Sequence, residues 1–246
     1  MRLILVLSFF LVGTVHASNH FAAGDTEFLH RRSRDSALKA LELYREAYAT
    51  NPKDPEAGWR LAMACQFVGF RLTTSSRDKE KLFREGRDAG LQSLTLAPNC
   101  AACQFWTAID EALYGDAVGP LKMLFTLGEI REHLERTIAL DPHYALGGPY
   151  RILALIDEKL PGILGGDDDR ALKYLQTAVK MAPGEPLNYL FLAKLLDETF
   201  HRRPEALAAA REGLRQPLVK DAPIESLESV SELKTLVAGW ESSTTH

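Results

Sequence analysis

The sequence predicts an all-α protein, a helical-hairpin solenoid of about four expanded repeats closed by a C-terminal cap helix. Three observations carry this. Apolar residues recur at helical spacing through most of the chain, and period-two alternation with β-branched enrichment is absent. Four helical patterns end on one device: AYATNP (47–52), SLTLAP (93–98), TIALDP (137–142) and AVKMAP (178–183), each with a small residue five positions before a proline. Pro52, Pro98, Pro142 and Pro183 stand 46, 44 and 41 residues apart, a period at which self-similarity signals stacked helical units. Proline lacks an N–H and cannot continue a helix, while the small residue lets a neighbouring helix approach closely.

Taken in order, residues 1–17 read as a signal peptide. Arg2 precedes the apolar run LILVLSFFLV, which is too short to span a bilayer, and Val15-His16-Ala17 offers a cleavage site before Ser18. Residues 18–34 read as an N-terminal arm or degenerate helix. Residues 35–217 form the repeat domain, opened by a helix from about Asp35 to Thr50. After each proline a pattern with an aromatic and then a small residue begins: PEAGWRLA, AACQFWTA, GPYRILA and PLNYLFLA, ending at Ala62, Ala108, Ala154 and Ala193. These resemble the first helix of a tetratricopeptide repeat, although the period exceeds the usual unit of about 34 residues. The small residue lies ten positions after the proline in three repeats and twelve in the third, which places a two-residue insertion before Pro149. Partner helices follow at about 78–96, 121–140, 168–181 and 204–215. Residues 218–246 hold an amphipathic cap, about Ile224 to Trp240, and a tail; a solenoid needs such a cap because an end repeat otherwise exposes its apolar face.

Composition narrows the function classes. The 246 residues are 46% hydrophobic and 25% charged, with a net charge of −4, as expected of a globular chain. No Lys/Arg block is present, so nucleic acid is not an expected partner. No HExxH, Gly-x-Ser-x-Gly or Walker loop occurs, so no enzyme activity and no cofactor are expected. Asp167-Asp168-Asp169 lacks the alternating ligands of a calcium loop and reads as a helix cap. Cys100-Ala-Ala-Cys103 opens a helix, where three readings stand: structural thiols or a local disulfide, a redox pair, or half of a metal site. Neither a surrounding βαβ pattern nor enough further ligands supports the last two.

Counting from the small residue of each first helix gives a candidate binding face: Trp59, Met63 and Phe67 in the first repeat, and Phe105, Ile109 and Leu113 in the second. Arg151 and Lys159 follow in the third and Lys194 in the fourth, and Tyr150 joins them as the start of the third groove-lining helix. Such a face is apolar at one end and charged at the other, which suits a partner segment or a small hydrophobic or amphipathic ligand. The competing reading makes the aromatics ordinary core.

The order GGPYRILALIDEKLPGILGGDDDRALKYLQTAVKMAP, with PNCAACQFW before it and LNYLFLAKLL after it, resembles the periplasmic T-component proteins of tripartite ATP-independent periplasmic (TRAP) transporters. The likeness covers about 37–216, and GGPYR, KLPG and GG are its most specific parts. It implies a periplasmic, tetratricopeptide-like accessory protein of solute uptake whose partner is a TRAP solute-binding protein. Family members are commonly lipoproteins, and here no cysteine follows the apolar run. The resulting expectation is a secreted protein without membrane insertion after leader cleavage, with homo-oligomers as a further candidate assembly.

Overall fold

The computed structural model describes residues 21–218 and 223–243, so the expected leader and the last residues of the tail lie outside it. Among the described residues the regular structure is helical: α1 (Ala22–Leu29), α2 (Arg34–Thr50), α3 (Pro55–Arg71), α4 (Ser76–Leu96), α5 (Ala101–Val118), α6 (Pro120–Leu140), α7 (Gly148–Lys159), α8 (Asp168–Met181), α9 (Pro186–Glu198), α10 (Arg203–Arg215) and α11 (Ile224–Ser243). Helices α3/α4, α5/α6, α7/α8 and α9/α10 pair as four consecutive hairpins, and α11 packs on α9 and α10 as the cap.

The proline device acts locally. Helices α2, α4, α6 and α8 each stop two positions before Pro52, Pro98, Pro142 or Pro183. In three of the four cases, α3, α5 and α9, the next helix then starts on a side-chain cap. Asp54 accepts the Glu56 N–H at 2.9 Å, Cys100 Sγ accepts the Cys103 N–H at 3.0 Å, and Glu185 accepts the Leu187 N–H at 2.9 Å. Each cap satisfies an N–H that the first helical turn leaves unpaired. The small residues of the device, Ser93, Thr137 and Ala178, are buried, as are Ala62, Ala108, Ala154 and Ala193 on the first helices. Helices therefore meet where side chains are shortest.

The third hairpin shows what the glycine-rich stretch does. Its two-residue insertion becomes a 3-10 turn, Tyr144–Leu146, with Ala145 and Leu146 at φ 49° and 54° and Gly147 at φ 81°. Positive φ is costly for alanine and leucine, so the turn must be held from outside. Arg151 donates to the carbonyls of Leu146 (2.7 Å) and Ala145 (3.2 Å) and to Asn188 Oδ1 (2.5 Å). Asn188 Nδ2 in turn donates to Leu146 O (3.2 Å) and Ala178 O (3.0 Å).

The turn after α7 is equally specified. Gly165 has φ 90°, and a Cβ on Gly166 would lie 1.8 Å from Leu160 O. Only glycine fits that contact. Buried Asp157 on α7 receives Arg131 from α6 and Arg170 from α8, the latter through two bonds of 2.6 Å. Arg170 also donates to Gly165 O at 2.7 Å.

Candidate interaction surface: the concave face and its internal helix

First helices of stacked hairpins line the concave side of a helical solenoid, and here α3, α5, α7 and α9 take that position. The chain's own α11 packs on α9 and α10 and forms ion pairs with Arg31, Arg71 of α3 and Lys194 of α9. Its buried positions, Ser226, Ser229, Leu233 and Trp240, form one stripe turned toward the array. Leu233 and Trp240 join the apolar cluster of α9 and α10. At the other end of α11, Ile224 packs on the cluster of the first repeat, which contains Phe67, Leu61 and Val68. One helix thus connects the last hairpin to the first.

Charge dominates the N-terminal half of that connection. Glu225 bonds Arg31 at 2.8 Å, and Glu228 bonds Arg71 at 2.8 Å. Both guanidinium carbons stand 5.5 Å from the centre of the Phe67 ring, so the ring is flanked by two cations. Further along, Glu232 pairs with Lys194 of α9 and Glu241 with Arg211 of α10. Ser226 Oγ donates to Glu185 Oε2 at 2.7 Å, tying α11 to the residue that caps α9. Burial lowers the Arg151 guanidinium to about 10, while the negative charges of Glu185 and Glu225 act in the opposite direction. The inner face therefore presents arginine and lysine from the array against glutamate from α11.

The residues singled out from sequence fall into distinct places. Phe67, Phe105 and Tyr150 are buried in the core. Phe105 is enclosed by Trp106, by Tyr144 of the inserted turn and by Gly148. Trp59, Met63, Ile109 and Leu113 are half-buried, with Arg60 stacked 4.1 Å from the Trp59 ring. Arg151 clamps the inserted turn. Lys159 is exposed and bonds its neighbour Glu158 at 2.9 Å. Lys194 faces α11. Sequence reasoning missed Arg31, Arg71, Glu225 and Glu228, whose pairings join segments 194 and 157 residues apart. The available signal was the spacing of Glu225, Glu228 and Glu232, which puts three acids along one side of a helix.

Cys100 and Cys103 form a disulfide, with Cα atoms 5.2 Å apart, and Cys103 is fully buried. Cys65 is free and buried; burial raises its thiol well above the usual range and makes it unreactive. Because Cys100 also caps α5, Cys100→Ala should cost about 1 kcal/mol relative to Cys100→Ser, which keeps an acceptor. Thermal melts of both variants under reducing conditions compare the caps without the disulfide. Among the described residues no group of three or more His, Cys, Asp or Glu could hold a metal ion, and no helix is long and apolar enough to cross a membrane.

Comparison with known proteins agrees with the fold and corrects the expected biology. A solved tetratricopeptide protein from Thermus thermophilus superposes with a TM-score of 0.63 at 20% identity, covering 88% of this chain and 100% of that one. The MamA protein superposes at 0.51 with 16% identity, covering 87% and 92%. These likenesses establish the tetratricopeptide-like fold. Regulator of microtubule dynamics protein 1 of Caenorhabditis elegans is 26% identical over 231 residues, spanning 88% of this chain and 97% of the worm protein. Regulator of microtubule dynamics protein 2 of Mus musculus is 28% identical over 225 residues, and the chain spans about half of that protein, 54%.

The expected TRAP T-component family, its solute-binding-protein partner, the solute-uptake role with its groove ligand and the periplasmic location are all overturned by these matches. The named relatives regulate microtubule dynamics and come from a nematode and a mouse, whose cells have no periplasm. The physical source of the misassignment is visible in the fold. GGPYR, KLPG and GG shape two turns of the third hairpin, so they report loop geometry rather than a transport partner. Residues 24–147 match the family described as RMD1-3, regulator of microtubule dynamics protein 1-3. By that match, across half of its length, the chain belongs to the regulator of microtubule dynamics protein 1-3 family.

Proposed function

We propose that this protein is a non-catalytic helical-repeat interaction module that alters microtubule dynamics by binding a protein partner. The observation that carries the reading is the reach of the likeness to the nematode regulator, 97% of that protein's length, which takes in the whole repeat array. The architecture supports it. A solenoid offers an extended concave surface built from side chains of several hairpins, a form suited to protein recognition. The polar groups on that surface are arginine, lysine and glutamate held in ion pairs, which set register and partner choice.

The direct test adds the purified full chain to dynamic microtubules assembled from tubulin. Growth rate, shrinkage rate and catastrophe frequency are then followed by light microscopy, and pelleting with microtubules is measured in parallel. A concentration-dependent change in at least one dynamic parameter is the expected result. Unchanged dynamics together with no co-pelleting would exclude direct action on the polymer.

A further inference from the structure

We propose that the seat formed by Arg31, Phe67, Arg71 and Lys194 on the concave face is a binding site for an acidic amphipathic helix of a partner protein, and that the N-terminal half of α11 is its internal occupant. This deepens the interaction reading by naming the ligand chemistry of the face, and it rests on that reading only for the biological source of the helix.

Three observations converge. The first is charge complementarity along a line: Glu225, Glu228 and Glu232 of α11 meet Arg31, Arg71 and Lys194, which the array supplies from the α1–α2 connection, the end of α3 and the end of α9. The second is an apolar anchor among these charges. Ile224 packs on the cluster holding Phe67, whose ring the two arginines flank. An apolar anchor beside a row of acids is the pattern of a helix laid into a groove.

The third is the uneven attachment of α11. Its second half is held by fully buried Leu233 and by Trp240, with Leu236 and Val237 packed beside them. Its first half is held by Ile224, by the buried hydrogen bond from Ser226 Oγ to Glu185 Oε2, and by ion pairs whose glutamates are 29% (Glu225), 51% (Glu228) and 47% (Glu232) exposed, and Leu227 on the same stretch faces solvent. Partly exposed ion pairs are weak and screened by salt. A partner helix that repeats the same contacts can therefore replace residues 224–232 while the Leu233 and Trp240 anchor stays in place. Because the site is internally occupied, its apparent affinity is lowered by the fraction of molecules in which the first half of α11 is seated.

The test uses the full chain and a fluorescent synthetic peptide of the α11 sequence, residues 224–243, beside a copy in which every glutamate is glutamine. Anisotropy should show the acidic peptide binding at least ten-fold more tightly than the neutral copy, with the difference shrinking as salt rises. Glu225→Gln/Glu228→Gln in the protein weakens the internal occupant and should tighten peptide binding at least ten-fold. Arg71→Gln should weaken it. Circular dichroism melts check that the variants fold. In the unsubstituted chain, hydrogen exchange of amides 224–232 should accelerate on adding the acidic peptide, while α9 stays protected. Equal binding of the two peptides, or unchanged exchange across 224–232 at saturating peptide, overturns the proposal. Because no tubulin is present, that failure is separate from failure of the microtubule test.

Discussion

Asp157→Ala should lower the unfolding free energy by about 3 kcal/mol, an expectation set by what happens when one partner of a buried charge pair is removed. The Asp157 carboxylate is fully buried and accepts from Arg131 and Arg170, which come from different helices. Both arginines also reach Gly165 O, so the carboxylate holds α6, α7 and α8 together with the glycine turn between the last two. The Arg170 side chain is 41% exposed and the Arg131 side chain 21%. Either can therefore recover part of its hydration after the substitution, which keeps the expected loss at the low end of the range for buried pairs. Asp157→Asn keeps the shape but turns an amide N–H toward a guanidinium, so it should recover less than half of the loss. Urea unfolding at constant slope measures both. Because the carboxylate is buried, the loss should barely change between low and high salt. A loss below about 0.5 kcal/mol for Asp157→Ala would mean that the turn is held by its glycine geometry alone.

The solenoid was legible in the sequence because its signals act locally. Pro52, Pro98, Pro142 and Pro183 end helices through their own backbone chemistry, and Ala62, Ala108, Ala154 and Ala193 mark close approaches whichever neighbour arrives. The surface of the concave face was less legible. Counting from the small residue places Phe67 and Phe105 on that face, but which face positions stay open depends on what the rest of the chain puts there. Phe105 is covered by the inserted turn through Tyr144, and Phe67 lies against Phe28 with Arg31 and Arg71 beside its ring. The Glu225–Arg31 pairing joins residues 194 positions apart, and no periodicity within either segment encodes it. The resemblance to a transport accessory protein failed for a related reason. Arg151, Gly165 and Gly166 are dictated by turn geometry, and residues so dictated carry little information about a partner.

A rise in stability relative to the parent that grows with pH is expected for Asp110→Asn. Asp110 on α5 is fully buried, and both carboxylate oxygens lack a hydrogen-bond partner. It lies against α4, where a Cβ on Gly86 would stand 2.3 Å from Oδ2. Burial, and then the negative charge of Glu85, push its pKa well above the ordinary 3.8. The groups that face it offer no cation of their own. Cys65 on α3 is an uncharged buried thiol, and the Arg45 guanidinium from α2 is already engaged by Glu85 through two bonds of 2.6 Å. The folded protein therefore keeps a proton that the unfolded chain releases near its ordinary value. Stability is full below that value and falls as pH rises toward the folded pKa, by up to about 1.4 kcal/mol per pH unit. Asparagine cannot ionise, so the variant escapes this loss. Its buried amide leaves donors unsatisfied at every pH, which adds a constant offset and no slope. Urea unfolding of the parent and Asp110→Asn at several values from pH 4 to pH 8 isolates the effect, because all other titrations cancel in the difference. A widening gap in favour of the variant identifies a protonated Asp110 inside the α3–α4–α5 junction. Parallel curves would require the carboxylate to be ionised in the folded protein, with a cation or water within reach of Oδ1 and Oδ2.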